Sequence, residues 1–122
     1  MEIDWLTYGV DVDSAAFWDK YYTAAKHTSE NEKEMEESDN EAERIRAYCA
    51  TFRRFYEDLI GKENADKLLE QVQDNRRSMD SVYESLLRYI YQQKMDSRNR
   101  MVSILLKYAP KKQEEHHDTS AV

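Results

Sequence analysis

At 122 residues, with 40 % hydrophobic and 35 % charged side chains, the chain is the size of one small domain. Its net charge of −7 argues against a phosphate-binding surface, no apolar run approaches the roughly 20 residues that span a bilayer, and a single cysteine excludes an intrachain disulfide. Two glycines and one proline leave few turn formers, so the composition predicts a mostly helical protein. The opening Met1-Glu2-Ile3-Asp4 lacks the positive start and apolar core of a secretory signal, and with the lone cysteine it places the chain in a reducing cytoplasm.

Residues 3–12 differ from the rest. Trp5, Leu6, Tyr8, Val10 and Val12 are strand formers, and Tyr8, Val10 and Val12 alternate with Gly9 and Asp11, which predicts a short β strand or hairpin. Asp13 is the expected N-cap of a helix over 14–37 whose stripe is Phe17, Trp18, Tyr21, Tyr22 and Ala25. Residues 29–43 are almost wholly polar and strongly acidic, with a break expected near 37–40, where Ser38, Asp39 and Asn40 are all plausible caps. The next helix, 40–60, has the clearest stripe: Ile45, Tyr48, Cys49, Phe52, Phe55, Tyr56, Leu59 and Ile60. It ends at Gly61, read as a left-handed cap, and Asn64 is the expected cap of a short helix over 64–72.

The last helix is expected over 75–109. Met79, Val82, Tyr83, Leu86, Leu87, Ile90 and Tyr91 form its first stripe, and Ser81 to Glu84 matches a capping box, with Asp74 or Ser78 as earlier starts. The stripe lapses between Gln92 and Arg100 and resumes at Met101, Val102, Leu105, Leu106 and Tyr108. With no glycine or proline at the lapse, one continuous helix is favoured over a break near Asp96-Ser97, and Pro110 ends it. The fold class read from the sequence is therefore all-α, about four helices with an N-terminal β element. Residues 1–110 are expected to form a single helical domain and 111–122 a disordered tail.

The charge is unevenly spread. Residues 1–43 hold 13 acidic and 3 basic side chains, whereas residues 44–112 hold 9 acidic and 15 basic. The acidic third either packs near the basic remainder, faces it in a neighbouring copy, or leaves a basic face for a separate acidic partner.

No catalytic set is evident. His27 has no apparent partner, His116 and His117 fall in the expected tail, and Cys49 lies on an apolar stripe as a small buried hydrophobe. Two carboxylate pairs, Glu34 with Glu37 and Glu63 with Asp66, have the spacing by which all-α nucleotide pyrophosphohydrolases hold magnesium. A chain with 25 acidic residues makes such pairs by chance, and neither is embedded in an apolar helix. The sequence accordingly predicts no enzyme, no cofactor and no metal. Its nine tyrosines, two tryptophans and five methionines suit a surface that binds another protein.

The chain resembles small proteins encoded in the tail-assembly modules of phages and prophages of Gram-positive bacteria. The similarity begins at Tyr8-Gly9-Val10-Asp11-Val12-Asp13, followed by Phe17 and Tyr21. It is clearest at Ile45-Arg46-Ala47-Tyr48-Cys49, Phe52, Phe55-Tyr56-Glu57-Asp58 and Gly61, with Ala65, Lys67 and Leu68 beyond, and it closes at Lys107-Tyr108-Ala109-Pro110-Lys111-Lys112. The chain has Leu59-Ile60-Gly61 where the family often has Phe-Gly, and acidic residues after Lys112 where the family's end is basic. The resemblance implies a tail assembly chaperone that coats the tape-measure protein until tube subunits polymerise around it. A structural or adaptor protein of the particle is the alternative. The expected contact residues are exposed members of Phe17, Trp18, Tyr21 and Tyr22, with Tyr89 or Tyr91. A homo-oligomer stays open; nucleic acid and membrane are not expected partners.

Overall fold

A computed structural model describes residues 2–32 and 39–108. Four helices follow in order: α1 (Ala15–Glu30), α2 (Glu41–Ile60), α3 (Lys62–Leu68) and α4 (Arg76–Tyr108). The all-α class is the expected one. The chain divides into two units, Met1–Ile90 and Tyr91–Val122, with the boundary inside α4. The tail expected over 111–122 lies outside the described residues, as does the middle of the acidic run, 33–38.

The expected strand or hairpin over 3–12 is corrected: no strand occurs among the described residues, and this segment is a set of turns. The Trp5 carbonyl accepts from both Tyr8 N and Val10 N at 3.1 and 3.0 Å. Asp4 fastens the turn from outside, accepting from the Thr7 amide (3.2 Å) and the Thr7 hydroxyl (2.6 Å), and the latter bond leads in holding the Asp4 carboxyl below its ordinary pKa. Gly9 adopts φ +93°. A local side-chain bond and a positive φ divert the backbone from extension, and no second strand is at hand to pair with it. The turn delivers Trp5 and Val10 into the core, where both are fully buried.

α1 starts one residue later than expected. Ser14, not Asp13, caps it, its hydroxyl accepting from Phe17 N at 3.4 Å, while Asp13 N is held by the Asp11 carboxylate at 3.0 Å. Asn40 caps α2 by accepting from Glu43 N at 3.2 Å. α2 buries Cys49, Phe55, Tyr56, Leu59 and Ile60 along its predicted stripe, with Ile45, Tyr48 and Phe52 half-buried beside them. α1 packs along α2, and α3 packs back onto it.

Gly61 closes α2 and opens α3 in one residue. Its N–H donates to Glu57 O (3.0 Å) and its carbonyl accepts from Ala65 N (2.9 Å). Its backbone, φ +87° and ψ 157°, lies in a region essentially reserved for glycine, distinct from the left-handed helical cap expected. α3 therefore begins before Asn64, whose side-chain nitrogen donates instead to Ile60 O at 3.0 Å and satisfies an end carbonyl of α2. α3 also ends earlier than the expected residue 72, and Leu69 and Val72 reach the core from turns after it.

α4 is one helix, without a break at Asp96-Ser97. Its start is set by Asn75, which accepts from Ser78 N at 2.9 Å. Ser81 does not cap; its hydroxyl donates to Arg77 O one turn back. Within residues 1–90, α4 buries Met79, Val82, Leu86 and Ile90.

The core is aromatic at its centre. Phe55 lies edge-to-face against Tyr21 of α1 (6.1 Å), Tyr56 of α2 (5.2 Å) and Tyr83 of α4 (5.9 Å), so one ring joins three helices. Trp5 stacks on Tyr56 at 6.2 Å and donates its indole N–H to Ser85 Oγ at 3.0 Å.

Candidate protein-binding surface

The stripe of α1 is divided between core and surface. Phe17 is buried and packs on Trp18 (5.1 Å) and Tyr21 (6.1 Å), so it supports neighbouring rings and has no surface to offer a partner. Trp18 is half-buried, its indole N–H donating to Val12 O at 2.9 Å. Tyr21 is half-buried against Phe55. Tyr22 is 65 % exposed and rests against Trp18 and Tyr21, both at 5.8 Å. Trp18, Tyr21 and Tyr22 thus form a contiguous aromatic shelf whose rings brace one another before any partner arrives.

Of the two tyrosines expected on α4, Tyr89 stands apart from that shelf. Tyr89 is half-buried near Asp4 and Asp11, and among the described residues no ring contact links it to α1. Desolvation first, and those two carboxylates second, raise its pKa. Tyr91 is 68 % exposed and belongs to the second unit.

Polar ties across the first unit fix the shelf's supports. His27 Nδ1 and Asp58 meet at 2.9 Å between α1 and α2, Arg53 and Asp66 at 3.1 Å between α2 and α3, and Tyr48 donates to Asp80 between α2 and α4. Burial first and that hydrogen bond second push the Tyr48 pKa up to about 12, while the Arg76 guanidinium, 5.5 Å above the ring, pulls the other way. Cys49 is buried, and desolvation pushes its thiol away from the reactive thiolate form.

Of the two carboxylate pairs considered for magnesium, Glu34 and Glu37 lie outside the described residues. Glu63 pairs with Lys67 at 3.7 Å and Asp66 with Arg53. Among the described residues no three His, Cys, Asp or Glu side chains converge as a metal site.

The Tyr56 hydroxyl is buried with no hydrogen-bond partner among the described residues, and burial holds its pKa far above the ordinary tyrosine value. An unsatisfied hydroxyl costs more in the folded state than it returns. Tyr56→Phe is therefore expected to raise the unfolding free energy by about 1 kcal/mol in urea denaturation, with a loss of stability showing that the hydroxyl is paired.

The sequence pattern located one further surface without marking it as such. In residues 101–108, Met101, Val102, Ile104, Leu105, Leu106 and Tyr108 are 43–78 % exposed. Their resumed stripe was visible, but periodicity describes an amphipathic face and not what covers it. Among the described residues no helix is long and apolar enough to cross a membrane.

Together these features define a small all-α protein that presents braced aromatic and aliphatic surface on a helical scaffold. A family described as of unknown function (DUF6673) matches residues 6–119, and the chain belongs to that family. No curated protein and no solved structure matches it.

Proposed function

We propose that the protein is a phage tail assembly chaperone that binds the tape-measure protein during tail morphogenesis. The ordered resemblance from Tyr8 to Lys112 suggests the system. The observation that carries a binding role is apolar surface left uncovered on rigid helices: the Trp18, Tyr21 and Tyr22 shelf on α1, and the aliphatic face of 101–108 on α4. Tape-measure segments are amphipathic helices, and such a helix can lay its apolar face against surfaces of this kind. Release must follow binding, so modest affinity per copy and many copies per tape measure suit the role.

Co-expression with the tape-measure protein of the same genome is the test. The chaperone is expected to keep that protein soluble, to co-purify with it, and to be absent from finished virions. Failure to rescue solubility together with failure to co-purify overturns the proposal. Presence in purified virions points instead to a structural or adaptor role.

A further inference from the structure

Two exposed surfaces of this chain are alike in being apolar and opposite in charge. The first is the tip of α4. Among residues 101–108 only Ser103 and Lys107 lack a large apolar or aromatic side chain, and the other six are 43–78 % exposed. Residues 91–108 hold four basic side chains and one acidic. The second is the shelf face of α1. Ala15, Trp18, Asp19, Tyr22 and Ala25 share that face by helical spacing, and Tyr22 stands 65 % exposed on it. Residues 2–30 hold six acidic side chains and two basic. Ion pairs within either segment leave its excess charge in place. The tip is therefore net cationic and the shelf end net anionic, whatever local partners their side chains have.

We propose that the tip of α4 in one copy docks on the α1 shelf of a second copy, head to tail. The apolar side chains of 101–108 seat on Trp18, Tyr22 and Ala25, and the cationic turns before them face the carboxylates around the start of α1, Asp11 and Asp19 among them. Area and charge together choose this occupant. Six side chains about half exposed present on the order of 600 Å², the most that a typical monomer's largest patch shows and short of the roughly 800 Å² per partner of a standard interface. A contact of that size is weak and leans on charge. Two tips packed together bring up like net charge, and so do two shelves. Tip on shelf joins apolar to apolar and opposite charge to opposite charge, and every copy carries one of each. The chain's own last residues, 109–122, offer only Ala109, Pro110, Ala121 and Val122 as apolar side chains, too few to cover the tip. Because the contact uses a different patch on each side, it leaves a tip and a shelf open at the two ends and propagates into rings or filaments. The inference goes beyond the proposed function and stands without it. A tape-measure helix, where present, competes with the neighbouring tip for the shelf.

Sedimentation velocity on the full chain is the test. The mass is expected to grow past the dimer between about 10 μM and 1 mM, the range of a small interface. The association constant is expected to fall about tenfold between roughly 50 and 500 mM salt. Leu105→Ser on the tip and Tyr22→Ser on the shelf are each expected to weaken association about tenfold or more with an unchanged melting temperature, because both side chains are exposed. Mixed in equal amounts, where each alone is a monomer, the two variants are expected to form a dimer of wild-type affinity and nothing larger, since one supplies the intact shelf and the other the intact tip. A monomer at every concentration overturns the proposal and leaves both surfaces to another protein or to the chain's own end. So does a dimer that survives Tyr22→Ser, which shows tip meeting tip, or binding to phosphatidylglycerol vesicles in place of self-association that Leu105→Ser abolishes. Co-purification with the tape-measure protein is unaffected by these outcomes, so either proposal fails alone.

Discussion

Trp5→Ala is expected to lower the unfolding free energy by about 3–5 kcal/mol, the range for emptying a large aromatic site in a packed core. The indole is 1 % exposed, stacks on the buried Tyr56, meets Tyr8 edge-on and donates to Ser85. The substitution removes the stacking, opens a void against the Tyr56 ring, and frees Ser85 from its bond. For a domain of this size a loss of that magnitude takes a large share of the total stability. Urea denaturation followed by far-UV circular dichroism reads it, since the helices report unfolding without the lost tryptophan. A change below about 1 kcal/mol is what an exposed N-terminal segment gives, and it would remove residues 2–12 from the core.

Gly61→Ala is expected to cost about 1–3 kcal/mol, in spite of the higher helix propensity of alanine. A Cβ at this position meets nothing within 4 Å, so crowding is not the reason. The cost comes from φ +87° and ψ 157°, which an L side chain adopts only under strain. Alanine relieves that strain by letting α2 run on helically, and the turn that sends α3 back is then lost. Ala65 and Leu69 leave the core with it, together with the Asn64 bond to Ile60 O and the Arg53 pair with Asp66. The same denaturation experiment measures the loss. A neutral or stabilising result shows that the chain passes between the two helices by another backbone path.

The helices were legible because their signals are local. The stripe of residues 45–60, a cap among Ser38, Asp39 and Asn40, the glycine at 61 and the continuity of α4 all follow from spacing and from which residues cap or break a helix, and the structure selects Asn40 as the cap. The N-terminal segment was misread because period-2 alternation of β formers is also compatible with a turn, and the deciding features were one Asp4 to Thr7 pair and the positive φ of Gly9. α3 was misplaced because Asn64 caps equally well in two directions, and only its bond to Ile60 O shows which end it serves. The candidate contact residues were separated by burial. Phe17 and Tyr22 belong to one predicted stripe, yet one is core and the other surface. Which side of an aromatic stripe faces inward depends on the partner helix, and that information is non-local.

The bond between Trp5 and Ser85 joins residues 80 positions apart. During synthesis Trp5 is made first, and the serine that receives its indole N–H is made about 4–16 s later at 5–20 residues per second. Until then the most deeply buried tryptophan of the native protein lacks the acceptor for its indole N–H, although Tyr8 and Tyr56 are already made. The unit over residues 1–90 therefore cannot assemble progressively from its N-terminus. Its core is completed only when the first turns of α4 arrive with Met79, Val82 and Leu86, and a chain stalled before Ser85 leaves the indole N–H of its largest core ring without that acceptor.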